Sequence, residues 1–287
     1  MTMKSILAIL TGAESDGAVL DAALAVARRF TAHIDAVHVR TLPGEVIAYG
    51  PPEALVATEE LIAAMELEGR QREEAARTRF DRWRAEHGIA ADGSGGTATA
   101  AWSPYVGGLW PVAGDLARYA DLTIIANEKG ENARTPENRL AIEAALFESG
   151  RPVLLVPPDA ASAARLLEHA LVAWKPSPEA AHALGAAMPF LATAGSVTVF
   201  AASDRDVAAT LPEELLTYLR RHGIDAAAPV FPAAETVGQA LLGEADRTGA
   251  TLLVMGAYSH SRLRELILGG VTEHVLNNAR IPVLMAH

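Results

Sequence analysis

The stretch Thr251–His287 reads TLLVMGAYSHSRLRELILGGVTEHVLNNARIPVLMAH, and it decides the fold that we expect. Two short apolar runs, Leu252–Gly256 and Ile281–Ala286, flank a polar loop and a segment with helical spacing. Short apolar runs that alternate with helices are typical of buried parallel strands in an α/β sheet. A glycine ends the first run and a glycine pair precedes the helix, so backbone N–H groups could approach a phosphate there. Ligands of open α/β sheets bind at this carboxyl edge.

The same stretch resembles the C-terminal signature of the universal stress protein family, in which a Gly-x-x-Gly loop, a short spacer and a Gly-Ser/Thr pair cradle an ATP triphosphate. The strand, the loop length, Gly269, the following Val271-Thr272 and the final Pro-Val-Leu match. Ser259 stands where the family has its second loop glycine, and Gly270 stands where it has Ser or Thr. The resemblance implies a fold of the adenine-nucleotide alpha-hydrolase type, with ATP and magnesium as the ligand to expect.

Parts of this stretch recur earlier in the chain. Leu122–Ala126 lies 130 positions before Leu252–Gly256, and an Arg-Pro-Val-Leu-Leu segment lies 130 positions before Ile-Pro-Val-Leu-Met. Self-similarity at a constant distance indicates a tandem duplication. We therefore predict two domains, 1–157 and 166–287, joined by a linker at Pro157–Arg165 that is rich in proline and small residues.

Each half has five predicted strands that alternate with helices, which indicates an α/β fold with a doubly wound parallel sheet in each half. The first half has extra residues, which fit Leu42–Glu86. We predict a long helix there that could start at Pro51-Pro52 and that ends at Gly88, with Gly69 as a candidate interruption. Other predicted elements are strands at 97–102 and 225–231 and a helix at 112–119.

The resemblance also implies how the two halves associate, because members of the family commonly dimerise by pairing their last strands. The pairing strands would be Pro152–Val156 and Pro282–Ala286, which would make the chain an intramolecular pseudodimer. Such pairing would cover strand edges that are otherwise open to aggregation. The sequence does not decide whether two chains also form a homodimer.

Composition argues against several classes of function. The chain has 287 residues, of which 50% are hydrophobic, and a net charge of −11, which suits globular domains and argues against a nucleic-acid or anionic-membrane surface. It has no cysteine, which excludes disulfides and thiolate metal sites and fits a reducing compartment. We find no apolar span of membrane-crossing length and no export signal, so we expect a cytoplasmic protein.

The candidate ligand site of the second half combines the loop after the strand at 252–256 with the end of the strand at 169–174. Glycines, a hydroxyl and an arginine suit a phosphate, and a tryptophan suits a base. The same residues also fit ordinary turns, a helix cap and core packing. The candidate residues are Gly256, Ser259, His260, Arg262, Gly269, Gly270, Val271 and Thr272 in the loop, and Ala173, Trp174 and Lys175 at the strand end.

The first half retains fewer of these features. In ATP-binding members of the family an Asp after the first strand holds the base or ribose, and the matching positions here are Thr11 and Lys175. In the first half, Ala126, Lys129, Arg139 and Leu140 stand at the positions of Gly256, Ser259, Gly269 and Gly270. With no glycine left at these positions to admit a phosphate, we predict that the first half does not bind ATP.

The resemblance implies a stress-response module that senses a small ligand and interacts with protein partners, and the residues above favour a nucleotide site in the second half only. We assign no catalytic residue and no metal ligand, because no nucleophile elbow, Walker loop or zinc spacing stands out. One alternative is a slow ATPase or another nucleotide-dependent enzyme on the same scaffold. The other is a dimerisation module that binds no nucleotide.

Overall fold

The structure, a computed structural model, describes residues 3–44, 58–92, 96–128, 136–158, 165–201, 212–228, 236–257 and 270–287. The first half contains β1 (Ser5–Ile9), α1 (Asp16–Phe30), β2 (His33–Arg40), α2 (Glu59–His87), β3 (Thr99–Val106), α3 (Leu109–Ala117), β4 (Leu122–Ala126), α4 (Pro136–Glu148) and β5 (Val153–Val156). The second half contains β6 (His169–Trp174), α5 (Pro178–Leu191), β7 (Ser196–Ala201), α6 (Glu213–Arg221), β8 (Ala226–Ala227), α7 (Val237–Thr248), β9 (Leu252–Gly256), α8 (Gly270–Asn278) and β10 (Val283–Ala286).

The strands form one ten-stranded sheet in the order β3-β2-β1-β4-β5-β10-β9-β6-β7-β8. Neighbouring strands are parallel within each half, and the two halves meet where β5 pairs antiparallel with β10. In that pair Leu284 lies opposite Leu154, and both side chains are fully buried. The predicted fold class is confirmed: two doubly wound parallel units are joined at the strands that we expected to pair.

Helices cover both faces of the sheet, and each face has its own apolar core. One core packs α1, α2, α5 and α6 against the sheet, and the other packs α3, α4, α7 and α8. On the first face the rings of Phe30 in α1 and Phe190 in α5 make an edge contact, with centroids 5.8 Å apart. The cores therefore continue across the boundary between the halves.

Helix α2 is the long helix predicted for the first half, and it runs from Glu59 to His87 without a break. Gly69, the candidate interruption, does not break the helix. It lies close to β2, where a Cβ on this glycine would be 3.3 Å from Cγ of Arg40. The side chain of Thr58 caps the helix by accepting a hydrogen bond from the N–H of Leu61. The start that we predicted near Pro51 lies outside the described residues.

Three other predicted boundaries differ from the structure. Strand β3 extends to Val106, because its pairing with β2 continues to Arg40. Helix α3 begins at Leu109 and includes Pro111, since proline is tolerated in a first turn. Strand β8 comprises Ala226 and Ala227, and the last three positions of that predicted strand lie outside the described residues. No helix within the described ranges is both long and apolar enough to cross a membrane.

Strand β3 is one of the two edges of the sheet, and a proline lies on it. The N–H of Ala100 points outward to the carbonyl of Ala90, whereas the N–H of Gly107 points inward to the carbonyl of Arg40. The alternation of the strand places Pro104 among the outward-facing positions. Because proline has no N–H, it removes a donor from the free edge and disfavours edge-to-edge association.

Candidate functional site

In the second half, β6 and β9 are neighbouring parallel strands, so their carboxyl ends share one edge of the sheet. Gly256 ends β9 at this edge and lies against the first turn of α5. A Cβ on Gly256 would lie 2.7 Å from the backbone nitrogen of Ala180 and 2.7 Å from the carbonyl carbon of Glu179. Glycine at this position therefore lets β9 and α5 approach closely.

Trp174 ends β6 at the same edge, and it is half-buried against the core that contains α5. Its indole nitrogen is buried and has no hydrogen-bond partner among the described residues. A buried donor without a partner is costly and rare in folded proteins, so it indicates a missing acceptor. The flanking residues Ala173 and Lys175 are also half-buried.

Glu179 lies in the first turn of α5, directly after this strand end. Its Oε2 atom is buried, and within the part of the chain that the structure describes it has no hydrogen-bond partner. A hydrogen bond from its own backbone N–H lowers the pKa of the carboxyl group, and the Ser177 hydroxyl and the charges of His287 and Lys175 act in the same direction. Glu179 is therefore an ionised acceptor at neutral pH. Sequence analysis missed it, because an acidic residue in a first helical turn is ordinarily explained by the helix dipole.

The candidate residues at the start of α8 approach the edge from the other face. Gly270 is the first residue of the helix and is exposed, and no atom of the described residues lies within 4 Å of a Cβ built there. Val271 packs against the second core, and Thr272 is buried. The other loop candidates, Ser259, His260, Arg262 and Gly269, lie outside the described residues.

A residue of the first half, Phe147, also contacts this edge of the sheet. The ring of His287 makes an edge contact with Phe147 of α4, with ring centroids 4.9 Å apart. The Nδ1 atom of His287 lies 3.1 Å from the carbonyl oxygen of Ala257, and Nδ1 of His182 lies 2.7 Å from the carbonyl oxygen of His287. Among the described residues, no group of three or more His, Asp or Glu side chains could hold a metal ion.

In the first half the corresponding edge is already occupied by the chain itself. The carboxylate of Asp16 accepts hydrogen bonds from the backbone N–H groups of Thr11 and Gly12, each at 2.8 Å. Gly12 has a φ of 86°, and a Cβ there would lie 2.6 Å from the carbonyl oxygen of Arg72 in α2. The N–H groups at the end of β1 are thus bonded to Asp16, and α2 lies directly on the loop.

Asp16 is fully buried, and it lies 3.7 Å from the guanidinium of Arg79 in α2. Burial raises the pKa of its carboxyl group to about 6, although the N–H groups of Thr11 and Gly12 and the charge of Arg79 act in the opposite direction. The folded protein therefore binds a proton at Asp16 more tightly than the unfolded chain does.

We predict that Asp16→Asn changes how stability depends on pH. Because the folded-state pKa of Asp16 is raised, protonation of this residue stabilises the wild type as pH falls through about 6 toward about 4. Between pH 7 and pH 5 the wild type should gain about 1 kcal/mol relative to the variant. His38, whose pKa is lowered by burial, acts in the opposite direction in both proteins and cancels in the comparison. Urea unfolding at the two pH values tests this, and parallel pH profiles would contradict it.

Comparison with known proteins agrees with this architecture. Residues 161–287 match the model of the universal stress protein family. The chain is similar in structure to a universal stress protein from Archaeoglobus fulgidus DSM 4304, with a TM-score of 0.72 and 17% identity over 100% of this chain and 99% of that chain. It is also similar to a functionally unknown protein from Pseudomonas aeruginosa PAO1, with a TM-score of 0.57 and 15% identity over 99% of this chain and 92% of that chain. No curated protein matches the sequence.

Proposed function

We propose that this chain, whose residues 161–287 match the model of the universal stress protein family, is a non-catalytic ligand-binding module of the stress response that binds ATP with magnesium in its second half only. The observation that carries the proposal is a pair of buried polar atoms, one at the end of β6 and one in the first turn of α5, that have no partner among the described residues. They are the indole nitrogen of Trp174, which is a donor, and Oε2 of Glu179, which is an acceptor.

A nucleoside suits both atoms. Its ring nitrogens are acceptors that the Trp174 N–H could satisfy, and its amino group and ribose hydroxyls are donors for the Glu179 carboxylate. Glu179 would then take the role that the family resemblance gives to an acidic residue at the position of Lys175. A lysine at position 175, where the family has an acidic residue, is thus compatible with nucleotide binding, because Glu179 supplies an ionised carboxylate four residues later.

The polyphosphate would lie toward the start of α8. The first N–H groups of a helix and its dipole favour an anion, and Gly270 leaves these groups accessible because it has no side chain. Magnesium would neutralise part of the phosphate charge, which matters in a chain with a net charge of −11. Residues of the loop that precedes this helix, Arg262 among them, would add positive charge.

Contacts within the first half support the proposal that only the second half binds ATP. The carboxylate of Asp16 already accepts from the N–H groups that follow β1, and it would repel a phosphate. Helix α2 lies against Gly12 on the same edge. Binding of ATP there would require both the carboxylate and the helix to move.

Calorimetric titration of the full chain with ATP and magnesium tests the proposal. We expect one site per chain with a micromolar dissociation constant. Gly269→Val should abolish binding, whereas Arg139→Val, which changes the matching position in the first half, should leave it unaltered. Arg139 forms only a partly exposed ion pair with Glu143, so the control should fold normally. Two sites, or no binding, would contradict the proposal.

Glu179→Gln gives a sharper test of the nucleoside contact. The amide keeps the size of the side chain but removes its charge, so nucleotide affinity should fall about tenfold.

The ionised carboxylate also motivates the alternative that the module is a slow ATPase, with Glu179 as a general base. Phosphate release that requires magnesium and disappears in Gly269→Val and Glu179→Gln would establish the enzyme.

A further inference from the structure

A side chain of the first half reaches across the junction and holds a helix of the second half. Asn127 directly follows β4, and only 2% of its surface is exposed. Its side-chain amide donates a hydrogen bond of 2.9 Å to the carbonyl oxygen of Leu276 in α8. Both residues are buried, so this bond is a polar contact between the two halves that is shielded from water.

The acceptor of this bond is an end group of α8. The helix runs from Gly270 to Asn278, so the carbonyl group of Leu276 is one of the last four, which have no N–H partner within the helix. A buried carbonyl group without a donor is costly, and Asn127 supplies the donor. Asn127 therefore caps the carboxyl end of α8 from the other half of the chain.

The main chain of Asn127 is itself fixed. Its N–H donates a hydrogen bond of 2.6 Å to the carbonyl oxygen of Val156 at the end of β5. Ala257, which lies 130 positions later, donates in the same way to Ala286 at the end of β10. Because alanine has no side-chain donor, Ala257 cannot hold α4 as Asn127 holds α8. This contact is therefore one-sided, and it acts on the helix at which we place the phosphate.

Helix α8 is short, so its position depends on its tertiary contacts. It has nine residues, a length at which an isolated helix is marginal in water. Val275 and Leu276 pack in the second core, and His274 lies against Gly238 of α7, where a Cβ would be 2.8 Å from its Cδ2 atom. From Leu276 back to Gly270 the helix rises only about 9 Å. A displacement of the last turn would therefore also displace the start of the helix.

We propose that Asn127 is a positioning residue for the nucleotide site of the second half, and that this site therefore depends on the first half. The inference rests on the function proposed above, because the polyphosphate of the bound ATP would lie at the start of α8. Asn127 acts through α8, whose first N–H groups bind the phosphate, and not by contact with the nucleotide. Without its amide, the carbonyl group of Leu276 can regain a donor only if the last turn of α8 moves toward water.

Calorimetric titration of Asn127→Ala with ATP and magnesium tests the proposal. We expect the dissociation constant to rise about tenfold relative to the wild type. Asn127→Asp keeps the size of the side chain but cannot donate when it is ionised, so it should weaken ATP binding by at least as much. This variant separates the hydrogen bond from packing, and it replaces Asn127→Ala if that variant does not fold. A wild-type dissociation constant in either folded variant would overturn the proposal.

Asn138→Ala is the matched control. Asn138 is a buried asparagine of α4, and its side-chain amide donates to the carbonyl oxygen of Ala126 at 3.0 Å, so this bond stays within the first half. Both alanine variants should lower the midpoint of thermal unfolding by about 2–6 °C. Only Asn127→Ala should weaken ATP binding. Equal losses of affinity in the two variants would show general destabilisation and overturn the proposal.

Hydrogen–deuterium exchange without nucleotide distinguishes failure of this inference from failure of the proposed function. Asn127→Ala should speed exchange in peptides that cover 270–280 by about fivefold or more, whereas Asn138→Ala should leave it unchanged. If the wild type binds no ATP, the proposed function fails and the dependence of its site on Asn127 fails with it. Exchange then still tests whether Asn127 holds α8, and unchanged exchange in Asn127→Ala would overturn that contact whatever the ATP result.

Discussion

The Phe80→Ala variant is expected to lose about 3–5 kcal/mol of its free energy of unfolding. Phe80 is fully buried on α2, and its ring centroid lies 6.0 Å from that of Trp83 and 5.9 Å from that of Trp102 in β3. Removal of the ring leaves a cavity between α2 and the sheet and also removes these aromatic contacts. Urea unfolding followed by circular dichroism measures the loss.

Leu67→Ala is the control for this prediction, because Leu67 lies on the same helix with 52% of its surface exposed. Its loss should cost less than about 0.5 kcal/mol. A large effect of Phe80→Ala and a small effect of Leu67→Ala would establish that α2 is an integral part of the first half. Equal, small effects would mean that the helix is not packed on the sheet. They would also contradict our account that α2 lies on the loop after β1.

The Leu284→Arg variant is expected to be more damaging and to lose more than about 4 kcal/mol. Leu284 and Leu154 are opposite each other where β10 meets β5, and both are fully buried. A guanidinium at this position would be buried without a partner, at a cost of several kcal/mol. We expect the halves to separate or the chain to unfold, which size-exclusion chromatography and thermal unfolding would detect.

Two further variants keep this prediction testable if Leu284→Arg yields no folded protein. Leu284→Ala should fold and lose about 2–5 kcal/mol, because it leaves a cavity in the same place. Val106→Arg introduces the same charge on the exposed edge strand, where 53% of the residue is accessible, and should be nearly neutral. A stable Leu284→Arg protein would contradict the buried junction between the halves.

The fold could be predicted because its signals are local and repeated. Apolar runs such as Leu122–Ala126 and Leu252–Gly256 are buried on both faces, and the structure makes both of them parallel strands. The junction between β5 and β10 could be expected only through the family resemblance, since no local signal specifies which strand edges meet. The close approach of α2 to Arg40 at Gly69 is a contact that sequence spacing does not reveal.

The candidate sites were less predictable, because burial and partner atoms decide them. Nothing in the sequence distinguishes Glu179 from other acidic residues at helix starts, whereas in the structure one of its carboxylate oxygens is buried and lacks a partner from the described ranges. Asp16 likewise reads as an ordinary first-turn residue, and only its contacts with Thr11, Gly12 and Arg79 show how it fills the edge of the first half. Four predicted loop residues lie outside the described ranges, so their roles stay predictions.

The central claim is that a nucleotide binds to the second half and not to the first. Hydrogen–deuterium exchange of the full chain, followed by mass spectrometry with and without saturating ATP and magnesium, tests it most directly. We predict slower exchange in peptides that cover 174–182 and 256–276, and unchanged exchange in the matching first-half peptides 10–18 and 126–146. Protection of the first-half peptides, or no protection in either half, would contradict the claim.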